Sequence, residues 1–434
     1  MKITSTSILI LNDERMSDKN KTGWSRRTFV STLAGLPLLP SLANAKSQKI
    51  VAPELPAKNA FEMQGIYLNA AYTHPMSKGS HEEIKLFLNS RLQNRRIPDG
   101  YDAFDRTAAL QSFASLINAS PAEIAWVPST MYAENLLLQG LSIPGSKARV
   151  VTDAFHFEGS LFMYDQLASA GDIELTVVKP SGNRIDPHHI DAALKPGTRL
   201  LAISLVSAYN GFQHDLKKIC DLAHAKNILV YADIIQAAGA VPIDVKASAV
   251  DFCACATYKW LMGDFGIGFL YVRADRLPML KRTVFGYRQV AHFESHLLPT
   301  DPPGTTPIES KAKTDMSGHF EVGTFANEGI AALRYSLNYL NQIGVPAIQL
   351  YRQPMINRLM EKLDKDRFHL LTPEGSGSPI VSFACTEAEA AALKQRLQKA
   401  DINVQVYNNR FRVSPSFYND MAEVDQFITV ANTR

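Results

Sequence analysis

The sequence predicts an α/β protein: a large doubly wound domain on a mostly parallel sheet, followed by a small α+β C-terminal domain. Three observations carry this. Short, nearly all-apolar runs alternate with helical stretches from about Val127 to Val272, the pattern of strands covered by helices on both faces. About the last hundred residues mix isolated β-type runs with a single long helical stretch instead. A chain of 434 residues also exceeds what one hydrophobic core usually organises.

The first 45 residues read as an address. Ser25-Arg26-Arg27-Thr28-Phe29 precedes an uncharged stretch from Thr28 to Ala45, which contains Gly35, Pro37 and Pro40 and closes with Ala43-Asn44-Ala45. That order resembles a twin-arginine export signal ending in a signal-peptidase site, with Met1 or Met16 as its start. Two prolines in a short run argue against a membrane span. Cleavage after Ala45 would leave 39 basic and 39 acidic residues, a mature chain near zero net charge. No later stretch is apolar and long enough to span a bilayer. The expectation is a periplasmic protein without stable membrane insertion, its precursor handled by the twin-arginine machinery, or a cytoplasmic one if the leader does not function.

An N-terminal segment, 46–75, leads into the large domain, 76–310. Its strands are expected at Arg149–Thr152, Glu174–Val178, Leu200–Val206, Leu229–Ala232, Phe252–Ala256 and Gly268–Val272, with helices at Ala133–Gly140, Phe157–Ala170 and Leu216–Lys226. Proline-rich Leu297–Pro307 reads as an exposed loop. The small domain with an interface segment, 311–434, begins with a helix at Asn327–Gln342. Ile380–Ala384, Glu387–Lys399, Val404–Tyr407 and Phe411–Ser414 then supply its strands and helix.

Composition narrows the functional classes. With 46% hydrophobic and 20% charged residues, the chain is neither disordered nor a coiled coil. A formal charge of +3 without a basic run gives no nucleic-acid surface. Four cysteines are too few for a disulfide framework. Cys253 and Cys255 lack a second pair at ligand spacing, so no metal site is expected. Neither G-x-G-x-x-G nor a Walker loop is present, which argues against a nucleotide-binding domain.

The chemistry gathers around Asp233 and Lys259. Asp233 follows the apolar run Leu229–Ala232, and ligands of parallel sheets sit beyond strand carboxyl ends. Lys259 stands between Tyr258 and Trp260, ahead of the glycine-rich Gly263-Asp264-Phe265-Gly266-Ile267-Gly268. Burial favours the neutral amine, the nucleophilic form that imine chemistry needs. A carboxylate suits the far end of a pyridine ring, where it keeps the ring nitrogen protonated.

With Gln236 one turn beyond Asp233, these residues resemble fold-type I pyridoxal 5′-phosphate (PLP) enzymes. The nearer likeness is to aminotransferase class V, especially isopenicillin N epimerase-like and kynureninase-like members. Asp233-Ile234-Ile235-Gln236-Ala237-Ala238-Gly239 is similar to the family's D-x-x-Q-x-x-G, and Tyr258 to Phe269 to its lysine signature. The resemblance implies a Schiff base of PLP on Lys259, the catalytic residue, with Tyr258 donating beside it. It places Thr130 and the Met131 backbone at the phosphate, where a helix N-terminus offers free N–H groups. His156 matches the histidine stacked on the cofactor ring. Asn69 lies in the leading strand that approaches the site. Gly323-Thr324 resembles the segment reaching the neighbouring subunit's phosphate, which implies a homodimer. Arg412 matches the arginine that grips the substrate α-carboxylate. Tyr72-Thr73-His74 and Phe285-Gly286-Tyr287-Arg288 stand where further substrate contacts are expected.

Three positions depart from the family pattern. Ala208 replaces an asparagine that contacts cofactor or substrate, with Asn210 the nearby candidate to stand in. Ala256 replaces a phosphate-binding serine, and Tyr258 the commoner histidine. No cysteine falls between Ala400 and Arg412, where a desulfurase carries its thiol. The function expected is PLP-dependent chemistry on an amino acid or amino-acid-derived amine, of epimerase, aminotransferase or lyase type. The alternative is an exported PLP-binding protein with a sensor role, motivated by Ala208 and Ala256.

Overall fold

The computed structural model describes residues 54–93 and 106–433. The expected leader, Arg26 and Arg27 included, lies outside the described residues. None of the described helices is long and apolar enough to cross a membrane.

Seven strands form the main sheet, in the spatial order Ile124–Val127, Gly268–Val272, Phe252–Ala256, Leu229–Asp233, Thr198–Ser204, Ala148–Asp153, Ile173–Val178. Only Gly268–Val272 runs against both its neighbours; the five strands beyond it are parallel. Central strands such as Phe252–Ala256 are buried at every position, because helices cover both faces and leave no wet side on which polar residues could alternate. The two resulting cores contain Ile203, Val230 and Cys253 on one side and Ala202, Tyr231 and Phe252 on the other.

Local chemistry fixes the covering helices. In Leu216–His224, Leu216, Ile219, Cys220 and Ala223 are buried at helical spacing, while Lys217, Lys218 and Asp221 face water. Asp215 caps this helix by accepting the Lys218 N–H at 3.1 Å, a bond whose loss costs about 1 kcal/mol. Asn327–Ile343 buries Ile330, Leu333, Leu337 and Leu340 in the core of the large sheet and packs on helices Lys78–Leu92 and Arg106–Leu116.

A four-stranded antiparallel sheet follows, ordered His369–Leu370, Val381–Ala384, Arg410–Val413, Gln405–Val406. Helices Val345–Lys362, Glu387–Lys399 and Met421–Asn432 cover it around Phe368, Phe383 and Phe411. The turn after the Thr198–Ser204 strand docks onto this sheet. Gly211 has φ +74°, and a Cβ there would stand 2.3 Å from the Ile380 carbonyl, so only glycine fits.

Leu297–Pro307, expected as an exposed loop, connects two paired strands, Val290–Ser295 and Ile308–Ala312.

Candidate active site

The parallel strands deliver their chemistry to one sheet edge, as the strand-end rule requires. Ser204 and Asp233 are register partners at the ends of adjacent strands, and Asp233 is in turn paired with Ala254. The next turn carries Tyr258 and Lys259. Gly239 (φ +89°) lies so close to this turn that a Cβ would meet the Trp260 carbonyl at 2.5 Å. The Gln236 amide completes the tie: it donates to the Ala71 carbonyl at 3.0 Å and accepts the Trp260 indole N–H at 2.9 Å. Gln236 therefore joins three segments of the site, with both ends of its amide engaged.

Lys259 and Asp233 are both buried, 9% and 3% exposed, and no salt bridge joins them. Burial lowers the Lys259 ammonium to about 8, with Asp233 resisting and Arg412 assisting. Burial raises the Asp233 carboxyl to about 6, against the Ile235 N–H and the nearby His156 and Lys259 charges. One Asp233 oxygen accepts that N–H at 2.9 Å. An unpaired buried amine and a half-satisfied buried carboxylate at adjacent strand ends fit a group placed between them, carbonyl at one end and protonated nitrogen at the other.

Behind His156 stands a network that sequence reasoning missed. Its imidazole meets Ser204 Oγ at 2.8 Å through Nδ1 and Glu134 Oε1 at 3.3 Å through Nε2. Glu134, 1% exposed, also accepts from Ser160 at 2.6 Å and Tyr164 at 2.7 Å. Burial pulls the His156 imidazole down, but the carboxylates of Glu134, Asp233 and Asp153 carry it above its ordinary value. The available signal was a glutamate two residues before the apolar Leu136-Leu137-Leu138 of the same helix.

Helix Thr130–Gly140 opens at the same edge, and its Ser129 cap accepts the Tyr132 N–H. The N–H groups of Thr130 and Met131 remain for an anion. Thr130 Oγ1 accepts the Ala256 N–H at 2.9 Å, which pins this helix start to the strand leading to Lys259. The Met131 sulfur accepts from Ser160 at 3.4 Å. The Tyr258 ring stacks on Phe265, and Lys259 Nζ lies 5.7 Å from its centre.

Arg412, 4% exposed, donates through Nη1 to the Ala208 carbonyl at 3.0 Å, while its Nε is buried without a partner. Asn69, bridged to Ser414 on the same strand, donates to Asn403 and keeps an unpartnered buried Oδ1. Orphaned polar atoms of this kind are rare; the Arg412 Nε donor fits a ligand carboxylate, and the Asn69 Oδ1 acceptor fits a ligand N–H or O–H.

Other expected contacts fall elsewhere. Asn210 cannot stand in at the Ala208 position, because its Nδ2 donates to the Asn183 and Leu371 carbonyls and its Oδ1 accepts the Phe212 N–H. His74 is buried with Nδ1 on the Pro75 carbonyl and Nε2 on Ser416, and burial lowers it to about 4. Thr324 is exposed and bonded to the Tyr287 hydroxyl at 3.1 Å, with no bond to Lys259.

Comparison with known proteins agrees with this geometry. Residues 103–427 match the aminotransferase class-V family. An uncharacterized aminotransferase of Bacillus subtilis, YcbU, is 26% identical over 76% of this chain and 87% of its own length. A probable cysteine desulfurase of Methanothermobacter thermautotrophicus is 29% identical over 58% of this chain; the match spans only 59% of that relative. Among solved structures, the cysteine desulfurase CsdA of Escherichia coli superposes with a TM-score of 0.75 at 19% identity, over 87% of this chain and 97% of that one. A C-DES mutant with glycine covalently linked to the PLP cofactor gives 0.73 at 20% identity, over 85% and 97%.

The chain belongs to the aminotransferase class-V family, with the fold-type I architecture. The family's coenzyme is pyridoxal 5′-phosphate.

Proposed function

We propose that this chain binds PLP on Lys259 and acts at the Cα of an amino acid whose carboxylate is held by Arg412. The observation that carries the reading is the pair Lys259 and Asp233, both buried at adjacent strand ends with no salt bridge between them. When bound, the coenzyme supplies the sink for electrons released at Cα.

The chain's own residues divide the remaining work. Asp233, held by the Ile235 N–H, keeps a proton on the ring nitrogen. The first-turn N–H groups of Thr130 and Met131 hold the phosphate. His156, fixed from behind by Glu134 and Ser204, covers the ring face. The Arg412 guanidinium fixes the substrate carboxylate and with it which Cα bond stands perpendicular to the ring. Lys259, its ammonium lowered by burial to about 8, takes or returns the Cα proton.

Chemistry that needs only proton movement at Cα suits these residues best, which favours the epimerase-like and aminotransferase-like readings. A persulfide-forming desulfurase needs a mobile thiol. Cys220, Cys253 and Cys255 are buried, and Cys385 follows the Val381–Ala384 strand far in sequence from Arg412. We further propose export through the twin-arginine leader and a homodimer in which Thr324 serves the partner's site.

Purified protein is expected to carry a visible absorption band that borohydride removes while fixing the coenzyme to Lys259. An amino-acid panel then distinguishes the chemistry: Cα exchange in D2O without keto acid marks epimerisation, and keto-acid formation marks transamination. A band that no amino acid perturbs supports the sensor reading instead. Preparations that take up no added coenzyme overturn the proposal. For the leader, changing Arg26 and Arg27 to Lys should hold the precursor in the cytoplasm; unchanged export defeats that part.

A further inference from the structure

The hairpin Val290–Ser295 and Ile308–Ala312 carries a charge arrangement that the proposed reaction does not use. Glu294 and Glu309 are direct register partners across its two strands. Like charges facing each other in this way destabilise a strand pair. His296 is the first residue past that strand, two on from Glu294 and so on its side, and its backbone N–H extends the pairing to the Pro307 carbonyl at 3.0 Å.

The His296 imidazole is set up as a lone-pair donor. Its Nδ1 lies 2.7 Å from the Pro302 carbonyl, which can only accept, so Nδ1 carries the hydrogen and, in the neutral ring, Nε2 offers its lone pair. The side chain is only 7% exposed, and Nε2 is buried without a hydrogen-bond partner. It faces Glu309 Oε1 at 3.7 Å, too long for a hydrogen bond. Gly304 lies against the ring, where a Cβ would come within 2.2 Å of it, so the connecting loop fixes the imidazole in place. Asp301 secures that loop by accepting the Leu297 and Leu298 N–H groups. A carbonyl behind Nδ1 and a bare Nε2 in front is the outer-partner arrangement of a metal-ligating histidine.

We propose that Glu294, His296 and Glu309 bind a divalent cation of the zinc class. One ligand atom from each lies within 4.8 Å of the others. Two nitrogen or oxygen ligands on one tetrahedral zinc ion stand about 3.3–3.6 Å apart, and the half-exposed glutamates supply the remaining closure by side-chain rotation. One imidazole and two carboxylates leave a fourth position to water, and the ion cancels the repulsion between the facing carboxylates. Cysteine spacing gave no sign of this site, because its ligands come together only through the register of the two strands.

The test uses tag-free holoprotein, stripped with chelator and titrated with zinc chloride by calorimetry. Saturable uptake of one equivalent at this site is expected. His296→Ala and Glu309→Gln should each weaken it at least about tenfold, the loss that even an outer partner of a metal ligand costs. Glu309→Gln, on an exposed strand, leaves the coenzyme band unchanged and so controls for folding. Cobalt(II) in place of zinc should give visible tetrahedral bands that Glu309→Gln removes. Zinc uptake indifferent to both substitutions overturns the proposal. So does an absence of uptake, in which case the cluster is only the charged face of the hairpin.

Discussion

Glu134 Oε1 lies 3.3 Å from His156 Nε2, with both side chains sealed from solvent. A buried carboxylate beside a buried imidazole favours the imidazolium, and two further donors, Ser160 and Tyr164, hold that carboxylate in place. The histidine covering the proposed coenzyme site thus carries a charge set by a residue that does not reach the site. Glu134→Gln keeps the shape and removes the charge. The His156 titration, followed by NMR of histidine-labelled protein, should move down. Leaving the surrounding donors imperfectly paired should also cost about 1–3 kcal/mol in denaturant unfolding. An unmoved titration would show that Asp233 and Asp153 suffice.

Arg412 offers a sharper separation of binding from chemistry. Its Nη1 is committed to the Ala208 carbonyl and its Nε is buried and free. Arg412→Lys keeps the charge but loses the planar fork. KM for an α-amino acid should rise about 30-fold or more, the cost of breaking a buried charge-assisted pair, with the coenzyme band unchanged. Equal KM values in the variant and the parent would remove Arg412 from substrate binding.

The sheet was legible because its strands are buried on both faces and so read as unbroken apolar runs. Phe252–Ala256 and Gly268–Val272 coincide with expectation residue for residue. Ile124–Val127 escaped notice because it is four residues long and pairs along one edge only. Helix Lys78–Leu92 buries only Ser80 and Phe87, too little to show a period. Val345–Lys362 contains Pro354, which reads as a breaker, yet the helix continues through it. At the site, Asp233 and Lys259 announced themselves by following apolar runs. The Glu134 network and the Glu294–His296–Glu309 cluster did not, since each depends on side chains that only packing or strand register brings together.

Asp233 should matter for turnover more than for capture of the coenzyme. Asp233→Asn cannot hold the ring nitrogen protonated, but it leaves the Lys259 amine and the N-terminus of helix Thr130–Gly140 in place. Coenzyme should still be trapped by borohydride on Lys259, while turnover of any accepted amino acid falls at least about 100-fold, the low end of a general acid–base contribution. Loss of coenzyme binding with turnover per bound coenzyme intact would reverse these roles.

The paired shifts of Lys259 and Asp233 set a pH dependence whose sign can be worked through. In coenzyme-free protein Lys259 releases its proton near pH 8, whereas in the unfolded chain it does so near 10.5. Between these values the unfolded state holds more protons, so stability rises with pH across that window and the full penalty is felt below it. Asp233 behaves oppositely: folded, it keeps its proton up to about 6, against 3.8 when unfolded, so its contribution is present below 3.8 and lost as pH climbs to 6. Together they predict that coenzyme-free protein has a stability trough between about pH 6 and 8, with each limb on the order of 3 kcal/mol. Coenzyme capture, which needs the neutral amine, should accelerate about tenfold per pH unit up to 8 and then level off. Denaturant melts of the coenzyme-free parent and of an Asp233→Ala, Lys259→Ala double variant check the first; stopped-flow coenzyme uptake checks the second. A trough of equal depth in the double variant would assign it to other groups, and uptake flat from pH 6 to 9 would mean that the Lys259 amine is already neutral throughout.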